Sequence, residues 1–99
     1  MITAVRTGQS APGKHSHAAE FVKELATYLK SKHGIDVTVK TQIGGPVGRI
    51  CMISNYENLA EYEKAWNKIH ADPEFHKIAH QASGIMNPGH THDTLWRSV

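Results

Sequence analysis

The chain has 99 residues, 39% hydrophobic and 20% charged, with a formal charge of +2, a balance that suits one soluble globular domain spanning residues 1–99. No Lys/Arg run is dense enough to suggest nucleic acid, no stretch approaches the ~18 consecutive apolar residues of a membrane span, and MITAVRTGQS lacks the apolar centre of a secretory signal. The single cysteine, Cys51, excludes an internal disulfide and fits a reducing compartment, so a cytoplasmic location is expected.

Ile2 to Thr7 is short, β-branched and alternating, the pattern of a strand, and Gly8 to Gly13 carries two glycines and Pro12, the pattern of a loop. Ala18, Phe21, Val22, Leu25, Ala26 and Leu29 then recur at spacings of three and four, predicting an amphipathic helix that stops at Gly34 behind the cations Lys32 and His33. Ile35 to Ile43 alternates Val37, Val39, Thr41 and Ile43 with Asp36, Thr38, Lys40 and Gln42, which predicts a strand covered on one side.

After the turn at Gly44-Gly45-Pro46, Val47 to Ser54 is different in kind. Ile50 and Met52 face one way and Cys51 and Ile53 the other, so this strand must be covered twice. Leu59, Tyr62, Trp66 and Ile69 form a second helical stripe with Asn55 or Asn58 as cap. Asp72 caps a third helix with Pro73 at its first position, where a missing N–H costs nothing, and Phe75, Ile78, Ala79 and Ala82 make its apolar stripe. Gly84 to His92 reads as loop and Asp93 to Val99 as a last strand. The order β-α-β-β-α-(α)-β predicts an α+β fold, a ferredoxin-like βαββαβ domain with a four-stranded antiparallel sheet. A domain of this size removes only about two-thirds of its unfolded surface from water, so a strand apolar on both faces points to a homodimer through the sheet face.

The order of elements, the doubly apolar third strand and the run SNYENLAEYEKAW…ADPEFHKIA resemble the dimeric α+β barrel superfamily, in its NIPSNAP-like and antibiotic-biosynthesis monooxygenase-like branches. The resemblance covers nearly the whole chain in architecture, and its sequence content is concentrated in residues 50 to 80. It implies two sheets packed face to face across a dimer and a small pocket in each protomer between sheet and helices. The haem-degrading branch is similar in pairing an aromatic residue on the second helix with a histidine on the next helical turn, which here would be Trp66 (or Tyr62) and His76. That branch also uses an asparagine on the first strand, where this chain has Arg6, Thr7 and Gln9.

His76 and His80 lie four apart, on one stripe of a short helix. An imidazole titrating near neutrality suits proton abstraction, which makes the two the expected catalytic residues. Two imidazoles at that spacing also suit a metal, with His70, His90 or His92 as a third ligand if the fold brought one near; Lys77-Ile78-Ala79 lacks the glutamate of an HExxH helix. Loop pairs His15/His17 and His90/His92 bind metal only adventitiously, so no metal and no cofactor are expected. Cys51 reads as a small buried hydrophobe, and neither a G-x-S-x-G elbow nor a phosphate loop is present. Tyr62 and Trp66 are either core residues or walls of a substrate site, and Arg49, like Arg6, either an ion pair at the sheet end or a pocket cation. The expected substrate-binding set is therefore Tyr62, Trp66 and Arg49. The expected partners are a second copy and a small hydrophobic or aromatic ligand, handled either by cofactor-independent monooxygenation or by binding alone; haem or metal binding is the third alternative.

Overall fold

A computed structural model describes all residues, Met1–Val99. In chain order it contains β1 (Ile2–Gln9), α1 (His15–His33), β2 (Thr38–Thr41), β3 (Arg49–Tyr56), α2 (Leu59–His70), α3 (Pro73–Ala79) with a following 3-10 turn (His80–Ala82), and β4 (His92–Arg97). One antiparallel sheet runs β2-β3-β1-β4, with Ile2 opposite Tyr56 on one side and Arg97 on the other. This is the ferredoxin-like arrangement expected from the sequence.

The helices end where their local chemistry dictates. α1 stops at Gly34, whose φ of 67° suits a residue without a Cβ; the Gly34 N–H bonds the Lys30 carbonyl at 3.0 Å and the Ile35 N–H bonds Leu29 at 3.2 Å. The Asn58 side chain accepts from the Glu61 N–H at 2.9 Å to start α2, and Asp72 accepts from the Glu74 N–H at 3.0 Å to start α3, with Pro73 at the first position.

All four strands differ at their ends from the sequence pattern, β3 being shifted from residues 47–54 to Arg49–Tyr56 and β4 from residues 93–99 to His92–Arg97. β1 runs on through Gly8 and Gln9, because β3 starts at Arg49 and offers them partners. β2 covers only Thr38–Thr41, not Ile35 to Ile43. The last backbone bond of the hairpin is the Gln42 N–H to the Arg49 carbonyl, and Ile43 beyond it stands fully exposed in the connecting loop.

The α1 stripe Ala18, Phe21, Val22, Leu25 and Leu29 meets Ile50 of β3, Ile69 of α2 and Phe75 of α3 in a single core. The molecule is 21 Å across its thinnest dimension, the depth of one sheet and one helix layer. The second sheet face therefore carries no layer of this chain. By strand alternation it displays Val5, Cys51, Ile53 and Trp96, and Trp96 is 63% exposed. No helix is long and apolar enough to cross a membrane.

Candidate functional site: an apolar cavity under the helices

Between the helix layer and the sheet lies a cavity of ≈ 40 Å³, room for a few water molecules. Its floor is the helix-facing side of β1 and β3, with Ala4, Met52, Ser54 and Tyr56, and its roof is Leu25 and Leu29 of α1 with Tyr62, Trp66 and Ile69 of α2. The same spacing of three and four that makes α2 amphipathic aims Tyr62, Trp66 and Ile69 at the sheet together. The aromatic rings run on from one another edge to face, Tyr56 to Tyr62 at 5.2 Å and Tyr62 to Trp66 at 6.3 Å between centroids.

The polar chemistry sits at the β4 side. Register places Arg6 of β1 opposite Asp93 of β4. The guanidinium donates twice, from Nε to Oδ1 at 2.7 Å and from Nη2 to Oδ2 at 2.8 Å, and its Cζ stands 4.8 Å from the Trp66 ring centroid. The pair stabilises both charges: the hydrogen bond with Asp93 raises Arg6, and the same bond holds Asp93 below the usual carboxylate range. Burial, then the Asp93 charge, pushes the Tyr62 phenol up, so it is a neutral donor near pH 7. Ser54 donates to the Tyr56 hydroxyl at 3.1 Å. Trp66 Nε1 is buried without a hydrogen-bond partner, a cost that protein interiors seldom tolerate.

Of the residues expected to form a site, the structure brings Tyr62 and Trp66 to the cavity and leaves His76, His80 and Arg49 outside it. His76 is exposed, donates from Nε2 to the His70 carbonyl at 2.7 Å and stacks against the His70 ring. His80 opens the 3-10 turn and is exposed. Arg49 is at the far end of β3 opposite Gln9, outside every ion pair of the chain. Arg6, not Arg49, is the arginine that lines the cavity. The carboxylate Asp93 gave only one signal in the sequence, an acid two positions before Leu95 on the same strand face.

No group of three His, Cys, Asp or Glu side chains comes together to hold a metal ion. A second titratable cluster lies on the other side of the core. Asp72 Oδ2 accepts from the Tyr28 hydroxyl at 2.5 Å and from His33 Nε2 at 2.9 Å, tying the end of α1 to the α2–α3 corner. These bonds draw Asp72 down to about 2, the Tyr28 bond first, and the same bond pushes Tyr28 up to about 12.

The structure is similar to that of a NIPSNAP domain protein from Burkholderia xenovorans, with a TM-score of 0.85 over 100% of this chain and 95% of the other at 13% identity. A nipsnap family protein with unknown function from Agrobacterium tumefaciens gives 0.81 over 99% and 87% at 17% identity. A Deinococcus radiodurans protein provisionally described as an antibiotic biosynthesis monooxygenase gives 0.73 over 100% and 93% at 14% identity. At these identities the likeness is one of fold. No curated protein matches. The NIPSNAP family profile, however, matches residues 3–88, every element from β1 through the 3-10 turn, and the chain belongs to the NIPSNAP family.

Proposed function

We propose that this protein binds a small, largely apolar ring compound between its helices and its sheet. The observation that carries the reading is the buried, unpartnered Nε1–H of Trp66 in a wall that is otherwise mostly hydrophobic. A ligand oxygen placed there would satisfy the donor, while the rings of Tyr56, Tyr62 and Trp66 supply an aromatic surface. The cavity is smaller than a benzene ring, so a ring compound fits only if a side chain turns outward. Leu95 and Arg6 stand on the cavity's β4 edge, and both have solvent to turn into, Leu95 being 47% exposed. The test is a thermal-shift and tryptophan-fluorescence titration with small aromatic compounds, in the native protein and in Trp66→Leu. Stabilisation of the native chain alone supports the reading, and equal response of both proteins sinks it.

A second reading is enzymatic: cofactor-independent oxygenation of an electron-rich aromatic by molecular oxygen. What favours it is the donor set, since Trp66 Nε1–H, Tyr62 O–H and the unused N–H groups of Arg6 would stabilise an oxyanion formed on a bound substrate. In this version neither His76 nor His80 is at hand as a base, since both stand outside the cavity. Oxygen uptake with hydroquinones separates it from binding alone, and an uptake rate equal to that of buffer removes it. We further propose a homodimer through the bare sheet face. Cys51 and Ile53 are half-buried there already, and Val5 and Trp96 extend the same apolar surface. Light scattering at micromolar concentration tests this; a particle of 11.0 kDa would overturn it.

A further inference from the structure

The hydrogen-bonding inventory of the cavity is one-sided. A guanidinium has five N–H donors; Arg6 directs one from Nε and one from Nη2 at Asp93, leaving three. Trp66 Nε1–H is a further donor without a partner, and Tyr62 keeps its phenolic proton. The acceptors already hold partners, although each keeps a free lone pair: each Asp93 oxygen takes one Arg6 bond, and the Tyr56 hydroxyl takes the Ser54 proton. A ligand rich in donors, such as an amine or a polyol, must share oxygens that already hold a bond. A ligand bearing an acceptor oxygen finds several partners.

Charge decides which acceptor. An arginine unpaired in an apolar pocket would be a carboxylate site, because its planar edge matches the two oxygens. Here the Nε/Nη2 edge is already occupied by a carboxylate of this chain. The cavity is therefore neutral overall, and an incoming anion would meet Asp93 beside the cation it seeks. We infer that the Arg6–Asp93 pair is a charge filter, admitting an uncharged ring compound that carries a carbonyl oxygen, of the aryl ketone class, and excluding aryl carboxylates. This rests on the cavity reading proposed above and adds the residues that set its selectivity.

The experiment follows the indole N–H resonance of Trp66 in the full-length, 15N-labelled protein, with Trp96→Phe prepared to assign it. Trp96 lies on the open face with its own Nε1–H bonded to Thr94 at 3.1 Å. Three ligands of matched shape are titrated at pH 7: acetophenone, benzoate and isopropylbenzene. Acetophenone is expected to move the resonance most and to bind tighter than isopropylbenzene, with benzoate at least about tenfold weaker than acetophenone, as like-charge juxtaposition demands. Asp93→Asn keeps the shape and removes the negative charge, so it should close or reverse that gap. Benzoate binding the native chain as tightly as acetophenone, or a gap unchanged in Asp93→Asn, overturns the filter while leaving the cavity reading intact. If Asp93→Asn does not fold, Arg6→Met serves instead: acetophenone must weaken and benzoate must not gain, and unchanged acetophenone affinity overturns the proposal. A Trp66 resonance that none of the three ligands moves in the native chain overturns the cavity reading and the filter with it.

Discussion

Arg6 and Asp93 lie 87 positions apart in the chain and side by side in the sheet, joined by two hydrogen bonds of 2.7 and 2.8 Å. Their side chains are 40% and 47% exposed, so solvent screening leaves the pair a modest share of stability, on the order of 1 kcal/mol or less. Its consequence lies in orientation. The Asp93 carboxylate holds one edge of the guanidinium, whose Cζ stands 4.8 Å from the Trp66 ring at the cavity. A weak structural contact thus places the charged groups at the rim of the apolar cavity.

Trp66→Phe removes the orphaned N–H and part of the ring. The two effects oppose: relief of an unsatisfied buried donor is worth about 1–3 kcal/mol, and the lost ring atoms cost a similar amount through the enlarged cavity. Stability by urea unfolding is expected to change by about 1 kcal/mol or less, while the preference for acetophenone over isopropylbenzene disappears. A stability loss above about 3 kcal/mol would show that Trp66 serves packing and that its N–H is incidental.

The Asp72 hub should appear in the pH dependence of stability. Asp72 is lowered to about 2 by the bonds from Tyr28 and His33. A depressed carboxylate stabilises the fold above its unfolded value and stops doing so as pH falls through its folded value, here between about pH 4 and 2. Asp72→Asn should therefore flatten that part of the acid limb in urea-unfolding curves. Tyr28 has the opposite sign. Raised to about 12, it adds stability below about pH 10 that is lost as pH rises through 12. An ultraviolet titration should find Tyr28 ionising late, alongside the raised Tyr62, and Tyr28→Phe should remove one late step while leaving the Tyr62 one. A native titration with all three tyrosines ionising together near pH 10 would contradict the hub.

The ends of α1 and α2 give two smaller effects of known origin. Gly34 holds φ 67° with nothing within 4 Å of where a Cβ would stand, so Gly34→Ala should cost about 1 kcal/mol through backbone conformation alone, and Gly34→Asn less. Asn58→Ala removes the cap bond to Glu61 and should cost about 1 kcal/mol. The two sites share no partner and their costs should add. Thermal denaturation of the double variant checks this, and a large excess over the sum would mean that the helix ends are coupled.

What could be read from the sequence and what could not divide along the range of the interactions. The stripes of α1 and α2 depend on neighbours three and four residues away, so Leu25, Tyr62, Trp66 and Ile69 could be assigned to the side facing the sheet. Asp72-Pro73 and Gly34 act within one turn and were equally legible, while the α2 cap was narrowed to Asn55 or Asn58, of which Asn58 makes the bond. The length of β2 was not, because Ile43 continues the alternating pattern although no partner strand remains opposite it. The site divided the same way. Arg6 and Asp93 meet only through the β1–β4 register, a property of the whole sheet. His76 and His80 stand four apart, as spacing required, yet spacing is silent on whether their short helix turns them inward, and both lie exposed with Phe75 taking the core side.

The sheet face offers the most direct test of assembly. Ile53 is half-buried at the centre of the bare face, between Val5 on β1 and Thr38 on β2. Ile53→Lys places a charge there without touching the core between sheet and helices, whose β3 residues are Ile50 and Met52. In a protein that pairs through this face, the substitution should halve the mass seen by light scattering at micromolar concentration and make the melting temperature of the native chain, but not of the variant, rise with concentration. Met52→Lys, on the opposite face, should instead unfold the protomer, since it buries an unpaired ammonium against the core. If Ile53→Lys leaves both the mass and the concentration dependence unchanged, the apolar character of this face serves something other than a second copy.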